Sequence, residues 1–197
     1  MTGTLILASG SAIRARILKG AGVPFEIVPP DVDEDAVKKD CAADGLTLEE
    51  TAMRLADTKA LAIRAVGRLV LGSDQILAVG ERGFDKPRSI DEARARLRLL
   101  AGREHRLINA VSIAKDGDIV FRHLDAPRLT MRAMSDGEID RYLAAAGEEI
   151  LASVGAYQVE AFGARLFERI DGDYFAVLGL SLFPALGHLR KEGMLAF

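Results

Sequence analysis

A single cysteine, Cys41, is all that the 197 residues provide. That excludes an intrachain disulfide and fits a reducing compartment. The chain also lacks a long apolar run. Leu5-Ile6-Leu7-Ala8 is too short for the apolar core of a signal peptide, no basic start precedes it, and nothing elsewhere approaches the length of a membrane span. A cytoplasmic, unprocessed protein with no membrane partner is the expectation. Positive charge is not in excess, since 26 Lys and Arg against 29 Asp and Glu leave a net charge of -3. Binding along a nucleic-acid polymer needs a stripe of cations to release counterions, so that class is set aside, whereas a local pocket for a small anion stays open. No GxxxxGK[ST] phosphate loop occurs, and the three histidines, His105, His123 and His188, show no metal-binding spacing. They are read as structural. Internal repeats, low-complexity tracts and linkers are missing as well.

What remains is 49% hydrophobic and 28% charged material, read as one domain over residues 1–197. Strand and helix patterns alternate. Strands are expected at Thr4 to Ala8 and Phe25 to Val28, with a helix from about Ala12 to Ala21 between them. "DVDED" reads as an acidic loop, and Thr47 with Glu50 forms a capping box opening a helix to about Ala65. "RLVLGSDQILAVG" is a buried strand turning through Gly80 to Gly83, and Ser89 with Glu92 and Ser135 with Glu138 open two further helices. Alternating strands lie around Leu107 to Ala114, Ile119 to Leu124 and Arg128 to Arg132, with Asp116-Gly117 as a hairpin turn. A strand region is expected from about Leu151 to Ile170, and a last helix from about Leu182 to Glu192. The pattern predicts an α/β fold, a mixed twisted sheet with surrounding helices, and the length also admits two small lobes, with a cleft between two lobes of this kind.

Several stretches carry chemistry. In "LASGSAIRAR", Ser9, Gly10 and Ser11 stand where a strand hands over to a helix, so free backbone N–H groups, two hydroxyls and the helix dipole converge. Arg14 and Arg16 follow, but side chains two apart face different ways, so one can meet an anion while the other is solvated. In "GSDQ", Asp74 and Gln75 interrupt an apolar strand. A buried carboxylate costs several kcal/mol unless paired, so Asp74 requires a cation, a metal or an exposed strand end. Lys86, held before Pro87, can neutralise phosphate oxygens as a point charge. Asp33 or Glu34 could ligate a hard cation, although the spacing is not that of an EF-hand. Glu160 lies in the glycine-flanked segment "GAYQVEAFG". The helix after Ser89 shows Arg94, Arg96 and Arg98, read as a solvated or lightly paired basic face.

Taken together, these pieces resemble the Maf family of nucleoside triphosphate pyrophosphatases over nearly the whole chain. The family's opening pattern, LASxSPRRxxLL, is matched by Leu7-Ala8-Ser9-Gly10-Ser11, Arg14, Ile17 and Leu18. Its acidic loop is matched at Asp33-Glu34, its helix lysine at Lys59, its strand aspartate at Asp74 and its KP turn at Lys86-Pro87. Its LSGxxH stretch appears as Leu100 to His105, and its late GLPL as Gly179-Leu180-Ser181-Leu182. The subgroup most similar is the 7-methyl-GTP pyrophosphatases, through Gln75, Glu160 and "FGARLFERI". Members acting on dTTP and UTP usually carry Asp-Thr and Gln at the first two places. A carboxylate suits guanine, whose adjacent N1–H and N2–H it accepts as a pair. Ala12 replaces a proline, Ile13 stands where Arg or an aromatic ring is usual, Ser181 replaces the proline of GLPL, and Asn109 replaces a threonine.

The resemblance implies an inosine-triphosphatase-like fold and hydrolysis between the α and β phosphates to a nucleoside monophosphate and diphosphate. It implies Asp74 as proton acceptor for water, with Glu34 and Asp74 holding a divalent cation, Mg²⁺ or Mn²⁺. Ser9, Ser11, Arg14, Lys59 and Lys86 would bind phosphates, and Ile13, Gln75 and Glu160 would bear on base selectivity. A homodimer is a further implication. The alternative is a regulator of division acting through protein partners, since the family is also associated with inhibition of septum formation.

Overall fold

The computed structural model describes residues 3–197. The described residues form two compact units, one from residues 3–75, Ile108–Asp125 and Asp173–Phe197, the other from Ile76–Leu107 and Ala126–Gly172.

In the first unit, β1 (Leu5–Ala8) is buried throughout and pairs in parallel with β2 (Phe25–Ile27) on one side and β3 (Leu69–Val79) on the other. The register sets Leu7 opposite Ile27 and Leu71. Next to β3 comes β5 (Glu104–Lys115), which forms an antiparallel hairpin with β6 (Asp118–Asp125). The hairpin turns at Asp116 and Gly117, with φ of 53° and 93°, the left-handed pair that a two-residue turn matching the strand twist requires. Parallel pairing around β1 and antiparallel pairing elsewhere make the sheet mixed, as expected. Its apolar side chains, including Leu5, Leu7, Leu71, Val111 and Ile113, form a core with Leu180, Leu182 and Leu189.

Capping chemistry starts the helices where the sequence places them. Ser11 caps α1 (Ala12–Gly20), its Oγ accepting from Arg14 N. Thr47 and Glu50 make a reciprocal capping box on α3 (Leu48–Leu61), at 3.2 Å and 2.8 Å. Helix α3 ends four residues before the expected Ala65. A second departure is α2 (Glu34–Ala43): "DVDED" is not simply a loop, because Asp33 accepts from Ala36 N at 3.0 Å and starts a helix at Glu34. Its acids favour that position, since the first turn exposes N–H groups and the positive end of the dipole. Helix α6 (Tyr174–Leu178), capped by Asp173, was not expected, and α7 (Leu182–Lys191) closes the unit.

In the second unit, the end of β3 turns back into β4 (Arg82–Phe84), and the start of β5 pairs with β7 (Arg128–Met131), which pairs with β8 (Phe167–Asp171). Helix α4 (Ile90–Leu100) packs on α5 (Asp136–Ala146), joined by Arg94–Asp140 at 2.8 Å and Arg98–Asp136 at 2.7 Å. The expected strand region from Leu151 to Ile170 is mostly something else. Short 3₁₀ turns cover Glu148–Ala152 and Phe162–Leu166, and only the end is strand. Ala156, with φ of 57°, and the close fold of Gly163 over the Gln158 backbone break any extended run.

Candidate active site

A carboxylate within an apolar strand needs a counter-charge, and Asp74 finds it in Lys59. The Nζ of Lys59 lies 2.6 Å from Asp74 Oδ1 and 2.8 Å from Glu34 Oε1. The Lys59 and Asp74 side chains are 8% and 9% exposed, while Glu34 is 44% exposed and opens the group toward solvent. One cation between two carboxylates leaves a net negative charge. Close packing sets this geometry. A Cβ at Gly72 would lie 2.3 Å from Ala56 O and 2.6 Å from Ala60 N, so only glycine lets α3 lie this near β3. Ala52, Ala56 and Ala60 form the rest of that face.

Beside it, Arg14 donates from Nε to Gly179 O at 2.8 Å and from Nη1 to Ser9 Oγ at 3.1 Å. Burial lowers its pKa, opposed by the attraction of Asp74 and Glu34. Of the two arginines of α1, Arg14 is half-buried and Arg16 exposed. Ser9 Oγ also accepts from Ser11 N at 3.2 Å, which sets the strand-to-helix turn. Ile13 is half-buried and packs against the apolar core.

The corner between α6 and α7 collects the remaining contacts. Gly179 ends α6 with φ of 105°, and its carbonyl accepts from Ser73 Oγ at 3.1 Å as well as from Arg14. Gln75 Nε2 donates to Ala176 O at 2.9 Å and Val177 O at 3.2 Å, so its amide group satisfies helix-end carbonyls. Asn109 donates to Asp74 O at 3.3 Å and accepts from Ser181 N and Oγ at 3.0 Å and 2.9 Å. Sequence reasoning missed Ser73, and it noticed Asn109 and Ser181 only as departures. The available signal was polar side chains at fully buried strand positions.

Lys86 and Glu160 belong to the second unit, and both are exposed. Lys86 follows β4, with Pro87 buried after it. Glu160 ends a segment whose residues Val154 to Tyr157 are buried. Tyr157 Oη meets His105 Nε2 at 2.7 Å. Burial lowers the His105 pKa to about 4 and pushes that of Tyr157 up. Tyr142 donates to Ala156 O at 3.3 Å, and burial raises its pKa to about 12. The basic face on α4, expected to be solvated or lightly paired, is so at two of its three arginines. Arg94 and Arg98 are ion-paired at the surface. Arg96 instead donates to the Asp85 and Val154 carbonyls, and burial lowers its pKa. His123 pairs with Asp125 at 3.1 Å, and His188 stacks on Phe121.

Among the described residues no cluster of three or more His, Cys, Asp or Glu is placed to hold a metal. Two carboxylates, Glu34 and Asp74, do converge within 3 Å of one point, at the Lys59 ammonium. Carboxylates are the donors that a hard cation of the Mg²⁺ kind takes, one or two of them beside water and substrate phosphate, but the point between these two is filled by the ammonium, so a cation would meet the oxygens turned away from Lys59. No helix among the described residues is long and apolar enough to cross a membrane.

Comparison with known proteins places the chain. The family described as Maf-like protein matches residues 4–192. A nucleoside triphosphate pyrophosphatase of Rhodopseudomonas palustris (strain BisB18) is 48% identical, covering 98% of this chain and 96% of its own. A 7-methyl-GTP pyrophosphatase of Mesorhizobium japonicum is 45% identical, covering 98% of both chains. A nucleoside triphosphate pyrophosphatase of Hyphomonas neptunium is 44% identical over 99% of both. With the family's pattern matched nearly end to end and relatives this similar over their whole length, the chain belongs to the Maf family.

Proposed function

We propose that this protein is a nucleoside triphosphate pyrophosphatase that prefers 7-methyl-GTP or another modified nucleotide. Support comes from the names of its relatives and, above all, from one observation: Asp74 is oriented by a buried lysine that also holds Glu34. Asp74 accepts a proton from water as the water oxygen bonds to the α phosphorus. The bond from that phosphorus to the bridging oxygen breaks, and diphosphate leaves with the electron pair. A positioned base contributes about 10²- to 10⁴-fold.

Lys59 and Arg14 offset the charge of the phosphates, with Ser9 and Ser11 adding hydrogen bonds, and Lys86 serves the phosphates from the turn after β4. Glu34 and Asp74 would hold a divalent cation, Mg²⁺ or Mn²⁺, which when bound neutralises phosphate oxygens and stabilises the leaving diphosphate. Glu160 reads the base. Gln75 acts on selectivity through α6, whose carbonyls it holds, and Ile13 leaves its place in α1 without a cation or aromatic ring. A cytoplasmic homodimer acting on free nucleotides completes the reading.

Diphosphate release, measured across canonical and methylated nucleoside triphosphates, tests it. The expected result is turnover highest on 7-methyl-GTP or another modified nucleotide. Failure to release diphosphate from any nucleotide, with a folded protein and Mg²⁺ or Mn²⁺ present, overturns the reading.

A further inference from the structure

The second unit presents two exposed side chains assigned to substrate, Lys86 and Glu160, and each projects from an irregular stretch of backbone. Irregular backbone needs something to hold it. For both stretches that something includes one guanidinium.

Arg96 Nη1 donates to Asp85 O at 3.1 Å and also to Val154 O. The two hydrogens of one nitrogen thus fasten two turns. The guanidinium carbon lies 4.4 Å from the centre of the Phe84 ring, which Arg82 also approaches at 4.7 Å. That stacking fixes the plane of the Arg96 fork.

The identity of the two carbonyls matters. Asp85 C=O and Lys86 N–H share one planar peptide, so holding the oxygen holds the plane from which Lys86 starts. On the other side, Pro87 restricts the Lys86 backbone to extended conformations. Lys86 is therefore constrained from both directions. Val154 C=O opens the run Gly155-Ala156-Tyr157 that leads to Glu160. Downstream, the run is held again by Tyr142 on Ala156 O, by His105 on Tyr157 and by Gln158 on Glu149 O. Only Arg96 ties this run and the Lys86 turn to the same atom, among the hydrogen bonds described.

We propose that Arg96 is a positioning residue that sets the Lys86 turn and the Glu160 segment together, through Asp85 O and Val154 O. The proposal rests on the pyrophosphatase reading, in which Lys86 and Glu160 meet the nucleotide. A lysine at this position would carry the charge but not the planar fork.

The test compares Arg96→Met, Arg96→Lys, Lys86→Gln and the double variant Arg96→Met/Lys86→Gln. Met retains an apolar stem over Phe84. In the wild-type background Arg96→Met lowers kcat/KM by about tenfold, mainly through KM, and Arg96→Lys restores only part of it. In the Lys86→Gln background the same change costs about threefold, because one of the two groups it positions is gone while the Glu160 segment is still released. Amide hydrogen exchange, read without any substrate, accelerates at residues 85–88 and 154–157 together while residues 97–100 of α4 keep their protection. Penalties that simply multiply, or exchange that rises along all of α4 or in one turn alone, overturn the assignment of Arg96 while wild-type turnover stands. A folded wild type that releases no diphosphate overturns the underlying reading, and this positioning assignment with it.

Discussion

Ser181 donates two hydrogen bonds to a single acceptor, its N–H and its hydroxyl both reaching Asn109 Oδ1, at 3.0 Å and 2.9 Å. Both residues are fully buried, and Asn109 passes the connection on to Asp74 O. The two positions stood out in the sequence as separate departures from the family pattern, a serine for a proline and an asparagine for a threonine. They are one feature, since a proline at 181 has neither an N–H nor a hydroxyl to give.

Ser181→Pro tests that pairing. With φ of -66° the backbone at Ser181 already has the value proline imposes, so the loss is that of the donors. Leaving Asn109 Oδ1 buried without them costs about 1–3 kcal/mol. Adding Asn109→Thr recovers part of it, and urea unfolding of both singles and the double reads the non-additivity.

Lys59 and Asp74 are unequal partners. Asp74→Asn leaves Lys59 paired with Glu34 at 2.8 Å, so unfolding free energy falls by only about 1 kcal/mol while diphosphate release drops by about 10²-fold or more. Lys59→Met strands a carboxylate that is 9% exposed and costs about 3–5 kcal/mol. Equal destabilisation by the two variants would contradict the bridging role of Lys59.

Gly72→Ala is the smallest change that separates α3 from β3. The added methyl meets backbone atoms of α3 within 2.6 Å, which must move apart, at about 1–3 kcal/mol. Because Lys59 rides on that helix, turnover falls further than stability alone explains when both are measured well below the melting temperature.

The buried imidazole of His105 gives stability a pH dependence. Its pKa falls to about 4 on folding, from 6.5, so between those values the unfolded chain binds a proton that the native protein does not. Stability is full above about pH 6.5, declines as pH falls toward 4, and loses no more from this group below that. The loss integrates to about 3 kcal/mol. Chemical denaturation across this window shows it, and His105→Asn flattens the slope.

Glu160→Gln shifts base preference. Replacing a carboxylate by an amide removes one of the two acceptors available to guanine's adjacent N–H groups. The ratio of 7-methyl-GTP to UTP hydrolysis falls by about tenfold or more, and a constant ratio would remove Glu160 from base reading.

Local chemistry was legible directly. Capping at Ser11, Thr47 and Ser135 and the turn at Asp116-Gly117 stand where the residue types place them, because each depends on neighbours within four positions. The need of Asp74 for a partner was also legible, since burial of a carboxylate carries the same penalty in any fold. Where the chain leaves regular periodicity, local signals failed. The stretch from Leu151 to Ile170 reads as a strand region, yet ahead of its final strand the backbone is held by Arg96, Tyr142 and His105 on other elements.

The sequence alone therefore determined most of the sheet-forming strands, the capped starts of α1, α3, α4 and α5, and the family, all written in short-range pattern and ordered motifs, but not the starts of α2 and α6. Only the tertiary structure decided which polar groups meet. Arg14 reaches Gly179 across 165 positions and Ser181 reaches Asn109 across 72. Spacing along α4 sets Arg96 beside the buried Ala93 and Leu100 and turns Arg94 and Arg98 further away, but it does not say which groups any of the three meets. Their partners are backbone carbonyls and side chains whose positions exist only once the sheet and the helices have packed, so the specificity of these contacts belongs to the fold.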